Sequence, residues 1–181
     1  MLTNHNAQFL DPKFLLEKIG IKQNMKVADF GAGAGYMTFA AADLVGKDGL
    51  VYALDVQKTV IEHLQTEIKR LKLTNTQAIW TNLEKIGANP IKPLSLDIVL
   101  IVNTLYQSTK WGEILREAKR VLSAGGIILI VEWKSAGTAF GPSIEERVDI
   151  VKLKNLADSL GLNKIDEFEA GPYHFGLVFR K

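Results

Sequence analysis

Five short runs of apolar residues, Lys26–Phe30, Leu50–Asp55, Gln77–Trp80, Asp97–Val102 and Ile127–Trp133, recur along the chain. Each is nearly all apolar through its middle, as strands covered on both faces require. Between them, apolar residues return every three and four positions, the period of an amphipathic helix. Strand and helix in alternation predict an α/β fold with at least five parallel strands.

Helix boundaries are written locally. Asp11 followed by Pro12 reads as an N-cap and first helical residue, opening a helix that carries Phe14, Leu15 and Ile19 and stops at Gly20. Thr59–Glu62 (TVIE) reads as a capping box ahead of the stripe Ile61, Leu64, Ile68 and Leu71. A further stripe, Trp111, Ile114, Leu115, Ala118 and Leu122, is ended by Gly125 and Gly126. Ser143–Glu146 (SIEE) reads as a second capping box, heading a helix to about Leu160. In the tail, Asn163–Glu169 and His174–Arg180 are strand-like and separated by only Ala170 to Tyr173, too short for a parallel crossover, so they pair antiparallel. With no internal repeat or linker, residues 1–181 are expected to form a single domain, residues 1–25 being an N-terminal cap segment.

Composition narrows the function classes. The 22 basic and 20 acidic side chains leave a net charge of +2, no electrostatic basis for nucleic-acid or membrane-surface binding. Absence of cysteine excludes disulfides, thiolate zinc sites and cysteine nucleophiles. The longest apolar stretches, Ile98–Val102 and Ile127–Val131, fall far short of the roughly 20 residues of a membrane span, and residues 1–11 lack a signal-peptide pattern. A soluble cytoplasmic chain is expected.

Directly after the first run stands Asp29-Phe30-Gly31-Ala32-Gly33-Ala34-Gly35-Tyr36. Glycine lets a strand-to-helix turn approach a ligand closely, and the helix opening near Gly35 turns its positive end toward it. The dinucleotide spacing G-x-G-x-x-G fails in both registers, because Tyr36 or Thr38 occupies the third glycine position, and no P-loop is present. Asp55 ends the second run, 20 residues past Gly35, where a carboxylate accepts from ribose hydroxyls or else caps the next helix or meets solvent.

Taken in order, these pieces resemble the class I S-adenosylmethionine-dependent methyltransferases. Asp29 to Gly35 is similar to the family's first motif, Asp55 to its ribose acid, Asp97-Ile-Val-Leu-Ile-Val-Asn103 to its fourth-strand motif, and Lys119 to Gly126 to its turn before strand five. The chain looks most like the small type 11 enzymes near the ubiquinone/menaquinone C-methyltransferases. The resemblance implies a Rossmann-like, doubly wound, seven-stranded sheet, mostly parallel with an antiparallel last strand, in the order 3-2-1-4-5-7-6. It implies S-adenosylmethionine as cofactor, held by Asp29, Gly31, Ala32, Gly33, Gly35, Tyr36, Asp55, Val56, Asn82, Leu83 and Asn103. Among these, the glycines would admit the methionine part, Asp55 would hold the ribose, Val56 would pack on the adenine, and Asn82 with Leu83 would meet the adenine edge. Asn82 stands where the family usually has Asp, and its amide can still accept from the adenine amine.

Departures narrow the reaction. Asn103-Thr104-Leu105-Tyr106 differs from the Asn-Pro-Pro-Tyr of base N-methylating relatives, the cysteines of arsenic methylation are absent, and so is the arginine-containing strand-four motif of quinone methyltransferases. The expected activity is direct displacement of a methyl group onto a small-molecule or lipid-like acceptor, driven by alignment and exclusion of water. Topology brings Asn103, Tyr106, Glu132, Trp133, Tyr173 and His174 to the carboxyl edge of the sheet, and none forms a recognisable catalytic dyad. His174 reads as an edge histidine bonded to backbone, Glu132 equally as a structural acid or an acceptor contact, His63 as solvated and Trp111 as core. The glycine-containing segment Lys134–Pro142 is expected to act as a flap over the acceptor, with residues 1–25 or a homodimer partner as further cover. A non-catalytic cofactor-binding subunit and an NAD-dependent oxidoreductase are the competing readings.

Overall fold

The computed structural model describes residues 10–135 and 140–181. Its strands are β1 (Lys26–Phe30), β2 (Leu50–Asp55), β3 (Thr76–Trp80), β4 (Leu96–Val102), β5 (Leu122–Trp133), β6 (Asn163–Glu169) and β7 (His174–Arg180). They form one seven-stranded sheet in the order β3-β2-β1-β4-β5-β7-β6. The first five pair parallel, and β7 runs antiparallel to both β5 and β6. The expected topology is the observed one.

The helices are α1 (Pro12–Lys18), α2 (Tyr36–Val45), α3 (Lys58–Arg70), α4 (Trp111–Val121) and α5 (Ile150–Ser159). Alternation along the strands sends Val27, Val51, Leu100 and Leu129 to one face, where they pack on Leu15 and Leu16 of α1 and Met37, Ala41 and Val45 of α2. On the same side, Ile61 and Leu64 of α3 cover Ala53. Ala28, Phe30, Val99, Ile101 and Ile128 point the other way, against Ile114, Leu115 and Ala118 of α4 and Leu153 and Ala157 of α5. Both faces are covered, which is why β1, β4 and most of β5 carry no polar alternation. No helix among the described residues is long and apolar enough to cross a membrane.

Three local expectations need correction. The Thr59–Glu62 box does not form: α3 begins at Lys58 behind Gln57, which makes no side-chain cap, because Asp55 Oδ1 accepts from Gln57 N (2.9 Å) and sets the turn earlier. The Ser143–Glu146 box does form, but it closes only a 3-10 turn. Arg147 is then extended, its guanidinium donating to the carbonyls of Lys134 (2.7 Å), Phe140 (3.1 Å) and Pro142 (3.1 Å), and α5 starts afresh under the Asp149 cap. Gly125 and Gly126 end no helix but lie inside β5, whose pairing with β4 shifts between Leu96 and Ile98; Gly125 takes φ +76° there.

Residues 81–95 connect β3 to β4 without a helix of their own. A carboxylate replaces it as an organiser. Glu117, buried on α4, accepts from Gly87 N (2.8 Å), from the Asn89 amide, and from Arg120 Nε and Nη2 (both 2.7 Å). At the other end of the sheet, buried Glu132 accepts through Oε1 from the N–H groups of Thr104 (2.8 Å) and Leu105 (2.6 Å), fixing the chain just after β4. Its Oε2 has no partner among the described residues, and burial pushes the carboxyl up to about 8.

Two outcomes follow. Glu117→Ala strands an arginine and two loop donors, and should lower stability by about 3 kcal/mol or more in urea unfolding, with Glu117→Gln costing less. Between pH 4.5 and about 8 the folded chain keeps a Glu132 proton that the unfolded chain releases, so stability from this group falls as pH rises through that window. Glu132→Gln should flatten the decline in the urea midpoint between those pH values; an unchanged slope would place the proton elsewhere.

Candidate functional site

β1 and β4 lie side by side, but the chain leaves β1 toward β2 and leaves β4 toward β5. Such a reversal opens a crevice at the carboxyl ends of the strands. Here the crevice is a cavity of about 980 Å³. Its floor is tied by Thr104, whose hydroxyl lies 3.0 Å from the Phe30 carbonyl oxygen and 3.1 Å from that of Val102.

The three glycines do different work. Each takes positive φ: +80° at Gly31, +51° at Gly33 and +84° at Gly35. A Cβ on Gly31 would overlap the Thr104 side chain, so this glycine lets the β4 end close on β1. At Gly33 the nearest atom to an added Cβ is 4.0 Å away, leaving open space in the cavity wall. A Cβ on Gly35 would fall 2.5 Å from Phe39 Cε2 and 2.7 Å from Leu64 Cδ2, so Gly35 serves the packing of α2 on α3 and does not line the cavity. Four amides of the turn are already used within the protein. Gly31 N and Ala32 N both donate to Leu54 O, Gly33 N to Asp55 Oδ2, and Gly35 N to Ala32 O.

Asp29, Gly31, Ala32, Gly33, Tyr36, Asp55, Val56, Asn82, Leu83 and Asn103 all line this cavity, leaving Gly35 outside it. Asp29 is buried and accepts from the Thr38 hydroxyl (2.6 Å); burial raises its carboxyl to about 6, and the Asp55 charge adds to the rise. Asp55 accepts Gly33 N (3.1 Å) on Oδ2 and Gln57 N (2.9 Å) on Oδ1. A carboxylate has about four acceptor positions, so roughly two remain. Val56 is 59% exposed with its side chain at the cavity, an apolar surface presented to whatever enters. Asn82 Oδ1 already accepts from Glu84 N (2.8 Å). Asn103 sits at φ +52°, tolerable for asparagine, and its buried Oδ1 has no partner among the described residues.

Four carboxylates, Asp11, Asp29, Asp55 and Glu84, face the cavity with Lys13 as the one ammonium among the described lining residues. With four turn amides spent and only carboxylates beside the glycines among the described charged residues, a pyrophosphate would meet repulsion. A cation bearing a diol suits the same atoms: Asp29 and Asp55 supply negative charge, Asp55 keeps acceptor capacity, and Asn103 Oδ1 accepts from an ammonium. S-adenosylmethionine has these groups, so the residues fit it.

Beyond Asn103 the cavity continues between Leu10, Pro12, Val102, Trp133, Phe140, Gly141 and His174. Of the neighbours expected at the carboxyl edge, Asn103, Trp133 and His174 line the cavity; Tyr106, Glu132 and Tyr173 do not. His174 is no edge histidine. Its strand lies between β5 and β6, its ring is fully buried, and neither ring nitrogen has a hydrogen-bond partner among the described residues. Burial holds it down to about 4, with Lys134 adding to the depression. Glu132 is the structural acid described above. Trp111 packs on the core, its indole N–H 2.9 Å from Leu105 O and 2.8 Å from Ser108 O, and His63 is exposed. Of the expected flap, residues 136–139 lie outside the described residues, as does His5; Phe140 and Gly141 line the cavity. Sequence reasoning missed Thr104, Gln57 and Glu84 in the lining, although each directly adjoins or nearly adjoins a residue it named.

Known proteins agree with this geometry. A family model described as a methyltransferase domain matches residues 21–163. A demethylmenaquinone methyltransferase of Geobacillus stearothermophilus is 29% identical over 129 residues, covering 71% of this chain and 53% of that protein. The ubiquinone/menaquinone biosynthesis C-methyltransferase UbiE of Shewanella oneidensis is 29% identical over 122 residues, covering 67% and 47%. The chain thus spans about half the length of the curated relatives it matches. The crystal structure of a SAM-dependent methyltransferase from Aquifex aeolicus superposes with a TM-score of 0.91 at 26% identity, covering 98% of this chain and 93% of that one. The chain belongs to the methyltransferase-domain family, in its class I, S-adenosylmethionine-dependent, type 11 group.

Proposed function

We propose that this chain transfers a methyl group from S-adenosylmethionine to a small, uncharged or lipid-like acceptor bound beside Trp133. The observation that carries the reading is the charge and space of the glycine turn: an open wall at Gly33 flanked by Asp29 and Asp55, with no cation among the described residues beside it and four of the turn amides already hydrogen-bonded within the protein. In this reading Asp55 holds the ribose, Val56 and Leu83 sandwich the adenine with Asn82 at its edge, and Asn103 Oδ1 with Asp29 receives the methionyl end. The bound cofactor supplies a methyl on a sulfonium, an already activated leaving group. The protein's share is alignment in a cavity with little water, which needs no general base. Residues 1–181 act as one unit, with Leu10 to Lys13 of the N-terminal cap segment closing one side of the cavity.

The relatives' names point to quinone rings as acceptors. Trp133 and Phe140 offer aromatic walls consistent with a flat apolar body of that kind.

Calorimetric titration with S-adenosylmethionine, S-adenosylhomocysteine and NADH tests the cofactor. The two adenosyl ligands should bind and NADH should not; preference for NADH would overturn the reading. Asp55→Ala should weaken both adenosyl ligands by about 1.5 to 3 kcal/mol, the range for hydrogen bonds to a charged group. An unchanged affinity would move the ribose off Asp55.

A further inference from the structure

His174 poses a problem that the cofactor does not solve. A buried polar group left unpaired costs on the order of 1 to 3 kcal/mol, so buried polar atoms are satisfied in nearly all cases. His174 carries two such atoms, at zero exposure, at the first position of a central strand. The sheet around it supplies nothing: its register partner is Trp133, whose indole lies 4.2 Å from the imidazole, centroid to centroid, at 41°. A Cβ on Gly141 would come within 2.6 to 2.8 Å of the same indole, so the segment after residue 139 packs on Trp133. Trp133, Gly141 and His174 all border the cavity. Neither ring nitrogen has a partner among the described residues, and the ring borders the cavity, so a molecule bound there is placed to supply one.

Position separates this group from the cofactor end. β4, β5 and β7 are successive strands, and Asn103 N donates to Val131 O (2.9 Å) at the tip of β4. His174 therefore lies two strand spacings from Asn103, about 10 Å across the sheet. The cofactor contacts assigned above lie from Asn103 toward β3, on the far side from His174.

We propose that His174 is the specificity-determining contact for the methyl acceptor, its imidazole hydrogen-bonding a hydroxyl on an otherwise apolar, flat body that lies along Trp133. This rests on the methyl-transfer reading for the identity of the ligand as acceptor. One ring nitrogen of a neutral imidazole donates and the other accepts, which matches a hydroxyl's own donor and acceptor. Burial keeps the ring neutral through the physiological range, so an uncharged partner is favoured over an anion. The role is recognition and orientation.

The test uses 2-naphthol and 2-methylnaphthalene, which share a flat apolar body and differ in the hydroxyl. Both are titrated into the full chain, with and without saturating S-adenosylhomocysteine, while imidazole nitrogen chemical shifts are followed by NMR. The expected result is at least tenfold tighter binding of 2-naphthol, with a shift of the His174 nitrogens on binding. His174→Phe, which keeps a flat ring against Trp133, should abolish the preference without changing S-adenosylhomocysteine affinity, and His174→Gln should restore part of it. Equal binding of the two probes, absence of 2-naphthol binding, or a preference that survives in His174→Phe would overturn the proposal. Failure of S-adenosylhomocysteine to bind would instead strike the cofactor reading, since the naphthol comparison is also run on the protein alone.

Discussion

The site hangs on one side chain that does no chemistry. Thr104 reaches from the end of β4 to the carbonyl of Phe30 at the end of β1, across the point where the chain's crossovers part. It can do so only because residue 31 has no Cβ. Its own backbone N–H is held by Glu132 from the neighbouring strand, so β1, β4 and β5 are fixed to one another at the edge where a ligand enters. Asn103, the residue before it, is thereby pinned in a left-handed conformation at the cavity, its buried side-chain amide oxygen without a partner among the described residues. A buried carboxyl, a threonine and a glycine together set the shape of the crevice, and the surrounding strands supply only their stiffness.

Electrostatics then select what fits that shape. Glycine-rich turns after a first strand are often read as phosphate sites, and the reason is the free amides of the turn. Here four of those amides, of Gly31, Ala32, Gly33 and Gly35, are consumed by Leu54 O, Asp55 Oδ2 and Ala32 O, and the nearest formal charges among the described residues are carboxylates. The same count of glycines therefore serves an opposite preference. Asp29 shows the cost: it is buried deeply enough to be raised to about 6, and only Thr38 offsets the burial. A cation in the cavity would relieve that cost, which makes the pair Asp29 and Asp55 a preorganised site for positive charge.

Much of this was legible in the sequence, because the signals were local or periodic. The apolar runs gave β1 to β5 to within a residue or so at most ends, and the short Ala170–Tyr173 connection fixed the antiparallel hairpin before any pairing was known. Asp29, Gly31, Gly33, Asp55 and Asn103 were legible because their spacing along the chain is set by strand and crossover lengths. What failed depended on contacts distant in sequence. The Thr59–Glu62 box lost to Asp55, which sets the start of α3 from the strand before it. The Ser143–Glu146 box was real but cut short by Arg147, whose partners lie as far as 13 residues back. Gly35, expected at the ligand, packs against Phe39 and Leu64 and is outside the cavity lining, and the organising role of Glu117 carried no sequence signal, since the two loop donors it holds, Gly87 and Asn89, lie about 30 residues away.

His174 marks the same limit in a more consequential place. Next to a Gly-Pro-Tyr turn, a histidine at a strand start reads as exposed and backbone-bonded; only the insertion of β7 between β5 and β6 buries it. Insertion of the last strand is thus what separates the two ends of the cavity. The reversal at β1 and β4 creates a charged end whose carboxylates sit beside the glycine turn, while β7 adds an apolar end lined by Trp133 and Phe140 with a single neutral polar group. A methyl group passing between two bound molecules needs such an asymmetry: positive charge must be held on one side, and an uncharged nucleophile must be brought to it with little water between. On the proposed reading, the first requirement falls to residues that strand spacing fixes, and the second to residues that only the final antiparallel strand brings to the site.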